Sequence, residues 1–354
     1  MLKDPRSPND NGLNALPAFS VCGWSGSGKT TLIEAVVPRL REKGLKIAVL
    51  KHTTHSISAD RHGKDSDRFF RAGADVLLQG PDHGLFRMQG APHGDLNSSV
   101  RRLSSHYDLI LVESYKGCPL PKVWLEDPAQ NKVPEKIQGL LATLPRNSDR
   151  IESLLAILET WLPRQWIKPS VFGCILIGGK SRRMGYPKHL IETNGKTWIQ
   201  RTVEVLEPLT SQVVVVGGTS EMSRAVHLAD VPDVHGPMAG VLSAMRWAPH
   251  ASWLVVACDL PLLSPSALEW LLTTRSPGVW ATLPKFKGAD RRIESLLAHY
   301  DYRARPLMED LAVQDDFSLS HLGSHAKVIT PAPPSALEPA WQDVDTPAQL
   351  EQVG

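Results

Sequence analysis

At 354 residues the chain is long enough for two domains that each bury a core, and a formal net charge of +2 with 21% charged residues argues against a nucleic-acid or membrane surface recognised through bulk charge. Its longest apolar runs, such as residues 253–257, are far too short to span a bilayer. The four cysteines, Cys22, Cys118, Cys174 and Cys258, show neither CxxC nor metal-ligand spacing, and three of them fall in or beside apolar runs, which fits a reducing cytoplasm.

Residues 1–15 are mostly polar and are interrupted by Pro5, Pro8, Asn9, Asn11 and Gly12, so residues 1–16 are expected to form a loose tail and not a targeting signal. Residues 19–22 read as a short strand leading into the loop Gly23-Trp24-Ser25-Gly26-Ser27-Gly28-Lys29-Thr30-Thr31. A helix is expected over 30–43, with Leu32, Ile33, Val36, Val37 and Leu40 on one face and Gly44 as its stop. Residues 46–50 and 109–112 read as strands, and 151–162 as an amphipathic helix ended by Pro163. Pro169 and Ser170 place a linker at 165–170. The pattern then restarts: a strand at 171–177, a second glycine-rich loop, a helix at 197–206 and strands at 213–216 and 254–257. Residues 331–340 are proline-rich and read as a surface connection before 341–350. The alternation predicts an α/β protein of two three-layer domains, 17–164 and 171–354, with mostly parallel sheets and no internal repeat.

GxxxxGK(S/T) between a strand and a helix is the signature of a P-loop. Its glycines let backbone N–H groups turn toward phosphates, Lys29 neutralises the β and γ oxygens, Thr30 can hold Mg²⁺, and the helix N-terminus adds its dipole. Gly23, Gly26, Ser27, Gly28, Lys29, Thr30 and Thr31 are therefore nucleotide-binding candidates in a P-loop NTPase-like domain. Glu113 ends the strand at 109–112, where a carboxylate either meets the metal or is simply solvated; beside a P-loop the metal role is preferred.

The GWSGSGKTTL loop, the Lys51-His52-Thr53-Thr54-His55 stretch, Gly63-Lys64-Asp65-Ser66 through Arg71-Ala72-Gly73-Ala74, and the LILVESYK segment together resemble the MobB family over about residues 17–162. That resemblance implies a GTP-binding adaptor of molybdopterin-guanine dinucleotide synthesis, in which Lys29, Thr30, Asp65 and Glu113 serve phosphate and Mg²⁺. It leaves His52 and His55 either substrate-facing or structural, and allows weak GTPase activity and a homodimer through this half. No Asn-Lys-x-Asp motif is present, so the preference for guanine here rests on the resemblance.

The second loop, Leu176-Ile177-Gly178-Gly179-Lys180-Ser181-Arg182-Arg183-Met184-Gly185-Tyr186-Pro187-Lys188, is not a P-loop. It suits attack on an α-phosphate with loss of pyrophosphate. Gly178 and Gly179 let backbone amides approach the nucleotide, and Arg182 or Arg183 and Lys188 can stabilise transition-state charge. Asp259 follows an apolar strand, the place where open α/β sheets bind ligands, and is a metal candidate. Asp343 and Asp345 lie two residues apart on one face of an extended segment, and either could complete that site.

The loop spacing, Gly236-Pro237-Met238-Ala239-Gly240, Cys258-Asp259-Leu260-Pro261 and Asp343-Val344-Asp345-Thr346-Pro347 resemble the MobA family of molybdenum cofactor guanylyltransferases over about residues 171–350. The resemblance implies a Rossmann-like nucleotidyltransferase domain that transfers GMP from Mg-GTP to molybdopterin. Arg183, Lys188 and Asp259 are then catalytic; Leu176, Ile177, Gly178, Gly179, Asp230 and Gly240 contact nucleotide; and Asp259 and Asp345 bind metal. Asp233 competes with Asp230, Gly217-Gly218 departs from the family's usual Asn, and Glu294-Ser295-Leu296 replaces its Gln-Pro-Leu. GTP, molybdopterin and molybdoenzymes or cofactor chaperones are the implied partners, with neither nucleic acid nor membrane. The alternatives are a molybdopterin cytidylyltransferase and a GTP-dependent cofactor carrier without transferase activity; a sugar-nucleotide pyrophosphorylase is more distant.

Overall fold

The computed structural model describes residues 12–51, 60–87, 96–127, 133–134, 137–177, 186–218, 225–287, 292–346, 349 and 351. His52, His55, Gly178, Gly179, Arg182 and Arg183 lie outside the described residues.

The first half runs β1 (Ala18–Gly23), α1 (Lys29–Glu42), β2 (Ile47–Lys51), α2 (Asp65–Arg71), β3 (Val76–Gln79), β4 (Gly84–Arg87), α3 (Leu96–Ser104), β5 (Leu109–Glu113), β6 (Lys122–Leu125), β7 (Leu140–Leu144) and α4 (Arg150–Trp166). Its main sheet has the order β2-β5-β1-β6-β7 and every pairing is parallel. The buried strands β1, β5 and β6 read as continuous apolar runs because helices cover the sheet. Leu32, Ile33, Val36 and Leu40 of α1 face Leu154, Leu155 and Leu158 of α4 in one core. Leu13 and Leu16, within the expected loose tail, are buried beside Leu96, Val100, Ile110 and Val112. That turn covers apolar surface on the other face of the sheet, so the tail reading is corrected for these residues.

The second half runs β8 (Val171–Leu176), β9 (Glu192–Thr193), β10 (Lys196–Thr197), α5 (Trp198–Leu206), β11 (Gln212–Val216), β12 (Val226–Leu228), α6 (Pro237–Trp247), β13 (Ser252–Ala257), α7 (Pro265–Thr273), β14 (Ala281–Thr282), β15 (Leu297–Tyr300), α8 (Ala304–Val313) and β16 (Val328–Ile329). Its sheet order is β12-β11-β8-β13-β15-β14-β16, parallel except where β15 runs against its two neighbours. From β8 the chain proceeds to β11 on one side, while β13 flanks β8 on the other. The carboxyl ends of β8 and β13 therefore open the crevice at which such sheets bind ligands. No helix among the described residues is long and apolar enough to cross a membrane.

Helix α4 does not stop at Pro163. It continues to Trp166, so the expected linker begins inside a helical turn. Burial of Leu162, Gln165 and Trp166 offsets the hydrogen bond that proline removes. The Trp166 indole donates to Val279 O (3.2 Å), and the Arg303 guanidinium stacks on its ring at 3.6 Å. A second tie joins the halves at Asp108, which is 0% exposed. Its carboxylate accepts the Lys46 N–H (2.7 Å), the Trp280 indole N–H (2.6 Å) and the Lys327 ammonium.

Removing the Asp108 carboxylate would take the counter-ion from the Lys327 ammonium, which keeps Gly44 O as an acceptor, and would leave the Trp280 N–H without its acceptor. Asp108→Ala is expected to cost about 3 kcal/mol, and Trp280→Phe about 1 kcal/mol, in urea unfolding. A wild-type midpoint for Asp108→Ala would contradict the junction. Two histidines supply a pH test. Burial pushes the pKa of His299 down to about 3 and of His250 to about 4, from 6.5. As pH falls from 6.5 toward 5 the unfolded chain takes up protons that these folded imidazoles refuse, so stability drops by up to about 1.4 kcal/mol per pH unit per histidine. His299→Gln should flatten that slope; an unchanged slope would remove His299 from the account.

Candidate functional site

In the first half, β1 delivers the chain to the P-loop at its carboxyl end. A Cβ on Gly23 would lie 2.4 Å from Ser27 Oγ and 3.0 Å from Leu125 O, so only glycine lets the loop fold back this closely. Gly28, with φ of 91°, turns the chain into α1 without a side-chain cap, leaving the first N–H groups of the helix open to an anion. The Lys29 ammonium donates to Trp24 O (2.7 Å) and Gly23 O (3.3 Å), across the mouth of the loop. Burial pushes its pKa below the ordinary lysine value, against the pull of Glu113.

Glu113, buried at the end of β5, accepts the Thr30 hydroxyl at 3.1 Å. The structure thus brings together two of the three residues expected to share a metal. It also adds Lys51, which the sequence reading left without a role. The parallel register sets Lys51 beside Glu113, and the ammonium reaches Oε1 at 3.2 Å. Beyond Glu113, Ser114 and Tyr115 take left-handed conformations (φ 78° and 60°), and Lys116 then lies 3.9 Å over the Trp24 ring. Ser27 is buried, whereas Thr31 is exposed on α1. Asp65 is not part of this group as described: its carboxylate is 86% exposed and pairs with Arg68 on α2 at 3.7 Å. The buried acid of that helix is Asp67, held by the Gly63 N–H, Arg71 and Arg87.

A further residue, Arg150, reaches the loop from the start of α4 and donates to Ser27 O at 2.8 Å. The sequence does carry one sign of it. A cation at the first position of a helix opposes the helix dipole and needs a reason to be there.

In the second half, Asp259 follows Cys258 at the end of β13, and Lys188 sits on a short turn after the loop that leaves β8. The Lys188 ammonium donates to Asp259 Oδ2 at 2.9 Å and also to Asp345. The Val344 N–H donates to Asp259 O (3.1 Å), and the Gln349 side chain accepts the N–H groups of Asp345 and Thr346. These bonds turn the Asp345 carboxylate inward. Asp343 instead faces Arg292 at 3.9 Å, so of the pair it is Asp345 that meets Lys188. Burial alone would lower the Lys188 pKa, but the hydrogen bonds it donates to Asp345 and Asp259 outweigh that and raise the pKa, keeping the side chain protonated at neutral pH. Burial pushes the Cys258 thiol up to about 12, so it is not a nucleophile here.

Leu176 and Ile177 are buried, and their backbone is tied to the sheet: Leu176 O accepts the Cys258 N–H and Ile177 N donates to Val216 O. They anchor the loop that follows. Gly240 lies where α6 crosses the sheet: a Cβ there would meet Leu176 Cδ2 at 2.7 Å and Asp230 Oδ1 at 3.3 Å. Asp230 is exposed at that junction, and α6, like α1, begins at a glycine without a side-chain cap. A cleft of about 500 Å³, whose lining includes none of the ion triad, is formed by Arg292, Glu294, Trp341 and Asp343 among others.

Among the described residues no group of three or more His, Cys, Asp and Glu gathers to hold a metal. Paired oxygen donors such as Asp259 with Asp345, or Thr30 with Glu113, suit a hard cation that completes its shell with phosphate oxygens and water.

Each half of the chain also matches known proteins. Residues 18–144 match the family described as molybdopterin guanine dinucleotide synthesis protein B, and residues 173–327 match the MobA-like NTP transferase domain. The molybdopterin-guanine dinucleotide biosynthesis adapter protein of Haemophilus influenzae is 30% identical over 165 residues, 42% of this chain and 91% of that protein. A protein of Bacillus cytotoxicus named a probable molybdenum cofactor guanylyltransferase is 30% identical over 167 residues, 45% of this chain and 82% of that protein. The molybdenum cofactor biosynthesis bifunctional protein of Synechocystis is 30% identical over 164 residues, 45% of this chain and 44% of that protein. The chain belongs to two families joined in one polypeptide, the MobB adapters in its first half and the MobA-like molybdenum cofactor guanylyltransferases in its second.

Proposed function

We propose that the second half transfers GMP from Mg-GTP to molybdopterin, giving molybdopterin guanine dinucleotide and pyrophosphate, while the first half binds a second GTP as an adaptor. The observation that carries this reading is the Lys188 ammonium held between Asp259 and Asp345 at the crevice of β8 and β13. An oxygen of the acceptor's terminal phosphate attacks the α-phosphorus, and the bond from that phosphorus to the bridging oxygen of the β-phosphate breaks. The nucleophile is already anionic, so the site must align the two phosphates and neutralise their charge; a general base is not needed. Lys188 leaves its carboxylates for the triphosphate oxygens as the nucleotide enters. Asp259 and Asp345 would then hold a divalent cation, which we take to be Mg²⁺. When bound, that ion would polarise the phosphoryl oxygens. Arg183 remains a proposed catalytic residue and Leu176, Ile177, Gly178, Gly179, Asp230 and Gly240 the proposed nucleotide contacts of this half, and the cleft lined by Arg292 and Trp341 is the proposed acceptor pocket.

In the first half, Thr30 and Glu113 would hold the corresponding ion, with Lys29 on the phosphates. Asp65 stays a proposed ligand only if α2 brings it inward. We keep the division between the halves at the proposed linker 165–170, whose first two residues belong to α4. Four free cysteines support work in the cytoplasm, where molybdoenzymes or their chaperones would take the product.

Incubation of the full chain with molybdenum-bound molybdopterin and either Mg-GTP or Mg-CTP tests the transferase. Guanine dinucleotide and pyrophosphate are expected; product from CTP alone would select a cytidylyltransferase, and no dinucleotide would leave only a carrier. Asp259→Ala should lower transfer about 100-fold or more without shifting the unfolding midpoint. Lys29→Ala should spare basal transfer, and its loss would show that the two sites are not separate. Lys188→Met should slow transfer and also tighten Mn²⁺ binding to the nucleotide-free chain in electron paramagnetic resonance, because the carboxylates lose their internal counter-ion. Unchanged Mn²⁺ affinity would show that Asp259 and Asp345 do not share a cation.

A further inference from the structure

Arg150 is spent on backbone. Its guanidinium donates through Nη1 to Ser27 O (2.8 Å), through Nε to Pro145 O (3.0 Å) and Leu144 O (3.2 Å), and through Nη2 to Glu126 O. These carbonyls belong to the P-loop and to the chain just at or beyond the ends of β6 and β7. Such a cation is costly in this place. Burial and the nearby Arg146 disfavour its charge, and the first turn of α4 presents the positive end of a helix dipole.

The geometry shows what this cation achieves. In a trans peptide the C=O and the following N–H point in opposite directions, and the described backbone contains no cis bonds. Fixing Ser27 O on Arg150 therefore turns the Gly28 N–H away from Arg150. Gly26 and Gly28 both take left-handed conformations (φ 77° and 91°) around the buried Ser27, the alternation by which successive N–H groups converge on an anion. The peptide held by Arg150 is the one that enters α1, directly before Lys29.

We propose that Arg150 is a positioning residue for the triphosphate of the first half. It presets the Ser27–Gly28 peptide so that the Gly28 N–H aims into the phosphate cup before nucleotide arrives, and it ties that cup to the ends of β6 and β7. The proposal rests on the reading that the P-loop holds a nucleotide, and it predicts a loss confined to phosphate recognition. A lysine at this position keeps the charge but cannot reach all four carbonyls from one planar fork.

The test measures binding of mant-GTP and mant-GMP to the full chain, taking the component abolished by Lys29→Ala as the P-loop site. Arg150→Ala should weaken that component for mant-GTP about 10- to 100-fold, the range for hydrogen bonds to a charged group, with a smaller loss for mant-GMP. Millimolar methylguanidinium should restore mant-GTP affinity to Arg150→Ala and leave the wild type unchanged. Arg150→Lys should fall between the two and guards against simple unfolding of the alanine variant. Lys29-dependent binding that Arg150→Ala leaves intact, or a loss that is equal for both nucleotides and not rescued, would overturn the inference alone. A wild-type chain with no Lys29-dependent binding would overturn the nucleotide reading of the first half, and this inference with it.

Discussion

The contact of Lys188 with Asp259 and Asp345 draws together segments from three places in the chain: the turn after the β8 loop, the end of β13 and the stretch near residue 345. Each charge is partly withdrawn from water, so none is comfortable without the others. The triad is thus a resting arrangement that a polyphosphate and a cation can replace with like for like. On the proposed reading an anion takes the ammonium and a cation takes the carboxylates. The first half repeats the principle with different parts, since Glu113 rests on the Thr30 hydroxyl and the Lys51 ammonium while Lys29 rests on loop carbonyls. In both halves a carboxylate at or just past the end of a parallel strand meets a basic residue near a glycine-rich turn, yet the chemistry differs. A P-loop grips the β and γ phosphates, whereas the second site leaves the α-phosphate open to attack.

The two halves also share more than a linker. Strand β5 follows directly on Asp108, which is fixed by Trp280 and Lys327 of the second half, and it ends in Glu113 at the first site. Trp166 at the end of α4 is held by Val279 and Arg303. Because α4 begins with Arg150 beneath the P-loop and ends against the second half, one helix touches both the nucleotide loop and the junction. The fusion therefore has a physical connection that two separately folded proteins would have to form by encounter.

Much of this was legible in the sequence because it is local. The P-loop, the strand before each glycine-rich loop, the helix at α1 and the strand that delivers Asp259 depend on short-range periodicity and on residues with few conformational alternatives. What escaped depends on partners distant in the chain. Asp343 and Asp345 lie on one face of an extended segment, so spacing cannot separate them; the contacts of Asp345 with Lys188 and of Asp343 with Arg292 do. Arg150 bonds to carbonyls, which every residue carries, and so leaves no pattern beyond its odd place at a helix start. Lys51 acquires its partner only through the register of β2 against β5. Pro163 looked like a helix end until burial of Trp166 was seen to carry the helix past it, and Leu13 looked like tail until the sheet surface it covers was in view.

On the proposed reading the second half breaks GTP at its α-phosphate, and the first half holds its GTP as an adaptor. Following label from GTP in the presence of molybdenum-bound molybdopterin tests this directly. Label at the α-phosphate should appear in the dinucleotide product, and label at the γ-phosphate should leave in pyrophosphate. Release of the γ label as free phosphate, with no α label in a dinucleotide, would contradict it.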